Sequence, residues 1–224
     1  MYKNKKIVAV IPARGGSKRI LEKNIIDLNG KPLLAYSVEL AKKISIIDKI
    51  VVSSDSEKIL SIASAYGAEA LKRSAELSGD MIKTEPVLIN VLDEFLIKGE
   101  IFDYLLLLEP TSPMREQHTI EKMIYKVIDE GFDSVGTVIE DRSYFWLINK
   151  DSHWAPLFSN ASRRSQERDP LYKEAGVGYI IKSSVLKESG KILGGKSAFI
   201  VVEEKEGVDI NTLFDLEIAR FLLK

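Results

Sequence analysis

Short apolar runs alternate, along the first half of the chain, with stretches in which apolar residues recur every three or four positions. Continuous runs are typical of strands buried on both faces, and the three-to-four spacing is typical of helices. The predicted strands are Ile7–Ile11, Lys49–Ser53, Tyr104–Leu108 and Ser134–Ile139. The predicted helices are Leu33–Lys43, Glu57–Ala65, residues 84–97 and Thr119–Asp129. This alternation predicts an α/β protein whose mainly parallel sheet is covered by helices on both faces.

The second half of the chain is less regular. Residues 140–175 combine two tryptophans with an arginine-rich polar stretch, which favours an inserted or antiparallel arm over a further strand–helix unit. The elements predicted after it are strands Val177–Ile181 and Ala198–Val202 and a terminal helix Thr212–Leu223. Since no repeat or linker divides the chain, we predict one domain, residues 1–224, with the arm at about 140–175.

Composition excludes several classes of function. The 224 residues include no cysteine, so no disulfide, thiolate metal site or cysteine nucleophile exists. The 32 basic and 33 acidic residues nearly cancel, which argues against nucleic acid or a membrane as a partner. The apolar runs are too short for a signal-peptide core or a bilayer span, so we expect a cytoplasmic protein.

The segment after the first predicted strand carries the most specific chemistry. It reads Ile-Pro-Ala-Arg-Gly-Gly-Ser-Lys-Arg from Ile11, and two adjacent glycines let the backbone pass close to a ligand. Ligands of open α/β sheets bind beyond the carboxyl ends of the strands, where this segment begins. A triphosphate needs backbone donors together with mobile cations. Four cations lie within ten residues: Arg14, Lys18, Arg19 and Lys23.

The segment matches neither of the common phosphate signatures. It lacks the Gly-x-Gly-x-x-Gly spacing of dinucleotide folds and the Gly-x-x-x-x-Gly-Lys-Ser/Thr spacing of P-loop enzymes. Runs of charge are usually solvated surfaces, so a turn with surface lysines remains the alternative interpretation from residue types alone.

Five segments, taken in order, resemble the acylneuraminate cytidylyltransferases, which are the CMP-sialic acid synthetases and their relatives for legionaminic and pseudaminic acids. The glycine-bearing segment is the first, and Asp-Ile-Asn-Thr, in place of the family's Asp-Ile-Asp-Thr, is the last. The matching segments are residues 11–24, 51–55, 71–77, 107–115 and 209–216. They span almost the whole chain, which makes the resemblance specific.

The resemblance implies a Rossmann-like three-layer α/β/α nucleotidyltransferase fold with a mainly parallel sheet and a dimerisation arm. It also implies CTP and an acidic sugar as substrates, Mg²⁺ as cofactor, and a homodimer in which one subunit's arm helps to cover the other's site. The residues that it assigns to the nucleotide are Ala13, Arg14, Gly15, Gly16, Ser17, Lys18, Lys23, Asn24, Arg73 and Thr84.

Further roles follow from the same resemblance. The residues assigned to the sugar are Glu109, Thr111, Ser112, Arg164, Gln166, Lys173 and Tyr179. The catalytic candidates are Arg14, Lys18 and Asp209, and the metal candidates are Asp209 and Asn211. The implied reaction joins CTP to a 2-keto nonulosonic acid and gives a CMP-sugar and pyrophosphate. Arg164 and Lys173 are the candidate partners for the sugar's carboxylate.

The chain departs from the family pattern at three positions. Asn211 replaces an aspartate, so it either ligates Mg²⁺ without adding charge or caps the following helix. Glu109 replaces a glutamine, and Ala175 replaces an asparagine, which leaves the choice of sugar open. The alternatives are a nucleotidyltransferase for an eight-carbon keto sugar acid and a nucleotide-sugar-binding protein without turnover.

Overall fold

The apolar runs form the strands of a central sheet in the computed structural model, which describes residues 1–224. The strands are β1 (Ile7–Pro12), β2 (Asp27–Leu28), β3 (Lys31–Pro32), β4 (Lys49–Ser54), β5 (Glu69–Lys72), β6 (Tyr104–Leu107), β7 (Ser134–Asp141), β8 (Trp146–Ile148), β9 (Trp154–Pro156), β10 (Leu171–Lys182) and β11 (Ser197–Val202). The helices are α1 (Leu33–Lys43), α2 (Glu57–Ala65), α3 (Thr84–Ile97), α4 (Gln117–Asp129), α5 (Ser183–Ser189) and α6 (Leu213–Leu222).

The main sheet has seven strands in the order β11-β7-β10-β6-β1-β4-β5. β1 pairs in parallel with β4 and β6, β4 with β5, and β7 with β11, whereas β10 runs antiparallel to β6 and β7. Val10 lies opposite Val51 on one side and Leu107 on the other. The predicted mainly parallel sheet is therefore confirmed, and the loops after β1, β4 and β6 share one edge.

Alternate residues of β1 point to opposite faces of the sheet, as the pleat requires. Ile7 and Ile11 belong to the larger buried cluster, which includes Val38 and Ile124 on α1 and α4. The opposite face of the sheet packs on α3 and α5. Phe95 of α3 is the largest fully buried side chain in this second cluster. Helices on both faces give the three predicted layers.

A third, smaller cluster determines where the C-terminal segment lies. Ile210 is fully buried with Leu216 and Ala219 of α6 against Ile20 and Leu28, which follow β1. This packing brings the residues before α6 to the same edge of the sheet as the glycine-bearing loop. None of the helices combines the length and the apolar character needed to cross a bilayer.

The arm is an antiparallel extension of the main sheet. β10 begins at Leu171, inside the segment predicted as arm, because Leu171 pairs with Asp141 and prolongs the β7–β10 ladder. Beyond that ladder, β8 and β9 form a separate two-stranded hairpin. The short elements β5 and α5 had no counterpart in the prediction.

Candidate functional site

A cavity of about 270 Å³ opens at the carboxyl ends of the parallel strands. This is the edge at which open α/β sheets bind ligands. Its wall combines residues from the loops after β1, β5 and β6 with the start of α3. Seven residues singled out from the sequence line it: Arg14, Lys23, Asn24, Arg73, Thr84, Glu109 and Thr111. We call it the nucleotide cavity.

The loop after β1 approaches the loop after β4 closely. The Gly15 N–H donates a hydrogen bond to Asp55 Oδ1 at 3.0 Å, and the Ala13 N–H donates to the Ser53 carbonyl at 2.9 Å. A Cβ at Gly15 would lie 3.0 Å from Ser56 Cβ, closer than side chains normally allow. Gly15 is thus needed for this approach. The Ser17 N–H donates a hydrogen bond to the Gly15 carbonyl at 3.1 Å. At Gly16, by contrast, an added Cβ would meet no atom within 4 Å.

Two of the predicted phosphate-binding cations share one carboxylate. Arg14 Nη1 donates a hydrogen bond to Asp80 Oδ1 at 2.6 Å, and Lys18 Nζ is ion-paired with Asp80 Oδ2. Hydrogen bonds from these cations lower the pKa of Asp80. Asp80 also lines the nucleotide cavity. It was not singled out from the sequence, since no local motif marks it.

Lys23 and Asn24 close the loop on itself. Lys23 Nζ donates to the carbonyl of Ile210 at 3.1 Å, and burial lowers the pKa of Lys23 while Asp209 opposes the shift. Asn24 is buried, and its Nδ2 donates to the carbonyl of Arg14 at 2.9 Å. Lys23 therefore ties the loop to the segment before α6, and Asn24 ties it to its own backbone.

The opposite wall contributes a buried guanidinium and a helix start. Arg73 Nε donates to Ser78 Oγ at 3.0 Å, and burial lowers the pKa of the Arg73 side chain. Thr84 is the first residue of α3. The N-terminus of a helix favours anions, since its first N–H groups have no partner within the helix. This wall suits a phosphate or another anion.

The turn after β6 is organised by a buried arginine that the site prediction missed. Arg115 donates from Nη2 to the Glu109 carbonyl at 2.6 Å and from Nε to the Val177 carbonyl at 2.7 Å. Its Nη1 donates to Ser37 Oγ at 2.6 Å. Burial lowers the pKa of Arg115 to about 10. The only signal was its position at the end of the matching segment 107–115.

Two residues of this turn assigned to the sugar differ in their surroundings. Ser112 is buried, and its hydroxyl donates to the Gly176 carbonyl at 2.8 Å. Thr111 lines the nucleotide cavity, and its carbonyl accepts a hydrogen bond from the Ile210 N–H at 2.8 Å. Ser112 thus fixes the turn against β10, whereas Thr111 faces the cavity.

Glu109 lines a second cavity as well, of about 320 Å³, together with Tyr179 and Glu174. We call it the acceptor cavity. The Tyr179 hydroxyl donates to Glu174 Oε1 at 2.6 Å, and burial together with this bond raises the pKa of Tyr179. Burial, and then the charge of Asp209, raise the pKa of Glu109. Glu174 was not singled out from the sequence.

Three residues that were predicted to bind the sugar do not line either cavity of the single chain. Arg164 and Gln166 are exposed on the arm, where Arg164 Nη1 pairs with Glu167 Oε1 at 3.1 Å. Lys173 lies on the β7–β10 ladder and lines another cavity, of about 530 Å³. The fold of a single chain therefore does not bring these three residues to the acceptor cavity.

Asp209 and Asn211 lie side by side just before α6. Asn211 Nδ2 donates to Asp209 Oδ2, and the Asn211 N–H donates to Asp215 Oδ2 at 2.9 Å. The helix cap itself is Thr212, which forms a capping box with Asp215. The alternative that the Asn211 side chain caps this helix is therefore wrong.

This pair fits Mg²⁺ only as part of a larger ligand set. No group of three or more histidine, cysteine or acidic side chains in the chain is placed to hold a metal. Mg²⁺ is commonly bound through one or two carboxylates together with substrate phosphates. Asp209 precedes Ile210, whose carbonyl Lys23 contacts, and can supply such a carboxylate, with the Asn211 amide beside it.

The doubly covered, mainly parallel sheet and the cationic cavity at its strand ends form a Rossmann-like fold with a site suited to a nucleotide. The sequence profile of the family described as "Cytidylyltransferase" matches residues 8–184. The chain therefore belongs to the cytidylyltransferase family, as the motif resemblance indicated.

Similar proteins cover nearly the whole chain. A pseudaminic acid cytidylyltransferase of Campylobacter jejuni is 34% identical over 98% of this chain and 97% of its own length. A CMP-N,N'-diacetyllegionaminic acid synthase of Legionella pneumophila is 33% identical over 98% of this chain and 97% of its own length. The solved structure of a CMP:2-keto-3-deoxy-manno-octonic acid synthetase in complex with CTP has a TM-score of 0.73 and 19% sequence identity. The match covers 97% of this chain and 98% of the other. At 19% identity, this structural similarity shows the fold alone.

Proposed function

We propose that this cytidylyltransferase joins CTP to a 2-keto nonulosonic acid of the pseudaminic or legionaminic type, giving a CMP-sugar and pyrophosphate. Relatives named for these two acids match the chain over nearly its full length. The alternatives are N-acylneuraminic acid and an eight-carbon keto sugar acid as acceptor.

The observation that carries the proposal is the shared wall between two cavities. Glu109 lines both the nucleotide cavity and the acceptor cavity, so a donor in one and an acceptor in the other would meet beside it. Reacting groups held at contact distance gain much of their rate from orientation alone. A transferase needs this arrangement, whereas a binding protein for one ligand does not.

The reaction asks mainly for positioning and charge stabilisation. The anomeric hydroxyl of the sugar acid attacks the α-phosphorus of CTP, and pyrophosphate leaves. In this proposal Arg14 and Lys18 release Asp80 and stabilise the charge on the phosphates. Lys23 and Arg73 hold the nucleotide from the opposite sides of the cavity. Mg²⁺, bound at Asp209 with Asn211 beside it, would neutralise charge on the phosphate oxygens.

The acceptor cavity favours a sugar that donates hydrogen bonds. Glu85, Glu109 and Glu174 line it, and so does Tyr179, whose hydroxyl donates a hydrogen bond to Glu174 Oε1. Acylamino N–H groups and hydroxyls are donors that carboxyl oxygens accept. A nonulosonic acid with two acylamino groups supplies such donors, which supports the legionaminic or pseudaminic type.

Neither cation predicted for the sugar's carboxylate lies in the acceptor cavity of one chain, where Lys191 is the one basic residue of the lining. Arg164 and Gln166 lie on the arm, so the proposal includes a homodimer in which the partner's arm delivers them. Exposed apolar side chains on the β8–β9 hairpin support this assembly. They are Trp146, Leu147, Ile148 and Trp154.

Pyrophosphate release tests the proposal. The protein is incubated with CTP, Mg²⁺ and, in turn, pseudaminic acid, N,N'-diacetyllegionaminic acid, N-acetylneuraminic acid and 2-keto-3-deoxy-manno-octonic acid. We expect the highest kcat/KM with one of the first two acids. With ATP or UTP in place of CTP, we expect no pyrophosphate release. A preference for either of the last two acids replaces the proposed acceptor. No release with any acid, although CTP binds, supports the binding-protein alternative.

A further inference from the structure

Asp80 joins two loops across the mouth of the nucleotide cavity. It lies between β5 and α3, 66 residues from Arg14, which belongs to the loop after β1. Asp80 Oδ1 accepts a hydrogen bond from Arg14 Nη1 at 2.6 Å, and Oδ2 is ion-paired with Lys18. One carboxylate therefore binds both catalytic candidates of the glycine-bearing loop, Arg14 and Lys18.

The contact reproduces what a phosphate group offers. A carboxylate presents two negatively charged oxygens to guanidinium and ammonium groups, as a phosphate does. The two pairs remain open to solvent, since the side chains of Arg14, Asp80 and Lys18 are 36%, 40% and 79% exposed. Exposed ion pairs are weak, so a polyanion with more charge can displace this carboxylate.

The loop that carries Asp80 is anchored independently of it. Arg73 is buried at the start of the loop and donates from Nε to Ser78 Oγ at 3.0 Å. The Ser78 hydroxyl in turn donates to the Ser74 carbonyl at 3.1 Å. Asp80 lies two residues beyond this anchor, followed by the exposed side chain of Met81. Removing the Asp80 charge therefore leaves the anchor of the loop in place.

We propose that Asp80 is an internal substitute for a phosphate group, which holds Arg14 and Lys18 in the empty protein and is displaced by the triphosphate. The choice of CTP as the natural ligand rests on the proposed function; the competition itself requires only a polyphosphate. When pyrophosphate leaves, Asp80 recaptures both cations, so the same carboxylate weakens substrate binding and assists product release.

The test compares the full-length protein with Asp80→Asn, which keeps the shape of the side chain and removes its charge. The matched control is Asp93→Asn on α3, which removes one charge from an exposed ion pair with Lys187 of α5, outside the nucleotide cavity. Dissociation constants are measured calorimetrically for CTP, inorganic tripolyphosphate and cytidine. Because two exposed pairs no longer compete, we expect Asp80→Asn to bind CTP and tripolyphosphate about fivefold more tightly. Its affinity for cytidine, and the control's affinities for all three, should match those of the unchanged protein.

Other results separate the inference from the proposed function. Unchanged or weaker binding of tripolyphosphate by Asp80→Asn overturns the inference, because Asp80 would then support the cations rather than compete for them. An equal gain for cytidine also overturns it, since the cavity as a whole would have changed. If tripolyphosphate binds and tightens as expected while CTP binds to neither protein, the inference stands and the proposed function fails.

Discussion

Lys23 Nζ lies 3.1 Å from the backbone carbonyl of Ile210 and donates a hydrogen bond to it. The Ile210 N–H donates in turn to the Thr111 carbonyl at 2.8 Å, and the Ile210 side chain is fully buried. The loop after β1, the turn after β6 and the segment before α6 are thus joined at one residue. This junction places Asp209, the residue before Ile210, near Lys23 of the glycine-bearing loop.

Replacing Lys18 with alanine is expected to lower kcat by about 10²–10³, the usual cost of removing one group that stabilises charge in a transition state. The Lys18 side chain is 79% exposed, so the fold should survive the change. Turnover is measured by pyrophosphate release, and folding by circular dichroism. Lys5→Ala, at the opposite end of β1, is the control and should leave kcat unchanged. Equal turnover in all three proteins would remove Lys18 from the mechanism.

Replacing Asn211 with aspartate is expected to lower the Mg²⁺ concentration needed for half-maximal turnover. The change replaces the amide that donates to Asp209 with a second carboxylate. One added unit charge about 4 Å from a divalent ion contributes roughly 2 kcal/mol even at the dielectric constant of water, which corresponds to about thirtyfold. Mg²⁺ titrations of the initial rate measure the shift, and Asp209→Asn should move it in the opposite direction. An unaltered Mg²⁺ dependence in Asn211→Asp assigns Asn211 a structural role alone.

The pH dependence of stability should change when Glu109 becomes glutamine. Burial and Asp209 raise the pKa of Glu109, so the folded protein holds this proton more tightly than the unfolded chain does. The resulting stability is fully present below the ordinary pKa of glutamate and is lost as the pH rises through the raised value. Glutamine stays neutral, so Glu109→Gln should be more stable than the unchanged protein at pH 8, by about 1 kcal/mol.

Denaturant unfolding without added Mg²⁺ or nucleotide, between pH 4 and pH 8, measures this difference. It should shrink as the pH approaches 4, where most Glu109 side chains are protonated in both states. Glu188→Gln, which removes an exposed carboxylate from α5, is the control and should show no such trend. A stability difference that stays constant with pH would contradict the assigned cause.

The exposed apolar side chains of the β8–β9 hairpin should support a dimer. Trp154 is 68% exposed in the single chain, and buried tryptophans are among the residues that contribute most at interfaces. Trp154→Ser is expected to raise the dissociation constant of the dimer at least about tenfold. Sedimentation velocity over a range of concentrations measures it, with Ile97→Ser as a control outside the arm. A monomer at all concentrations for the unchanged protein would refute the assembly.

Periodicity predicted the elements that are long and buried. β1, β4, β6 and β7 were predicted because their runs are buried on both faces, and α1 to α4 because their apolar spacing is regular. β5 was missed because only one of its four residues is buried, and α5 because it spans only seven residues. The start of β10 was missed because Tyr172, Lys173 and Glu174 are exposed and carry no buried-strand pattern. Only pairing with β7 makes this stretch a strand.

The site was predictable where the chemistry is local in sequence. Two glycines and four cations within one loop are visible as a motif, and the cavity includes Arg14 and Lys23. Asp80, Arg115 and Glu174 were missed because each acts through partners made by the fold. Arg115, for example, reaches the Val177 carbonyl 62 residues away. Arg164, Gln166 and Lys173 remain predictions that depend on a second copy of the chain.

A crystal structure of the protein with CTP tests the central claim most directly. The account predicts the triphosphate in the nucleotide cavity, with its oxygens bonded to the N–H groups of residues 13–18 and to Arg14 and Lys18, and with Asp80 released. A structure in which this loop is empty, while CTP lies elsewhere on the molecule, would contradict the account.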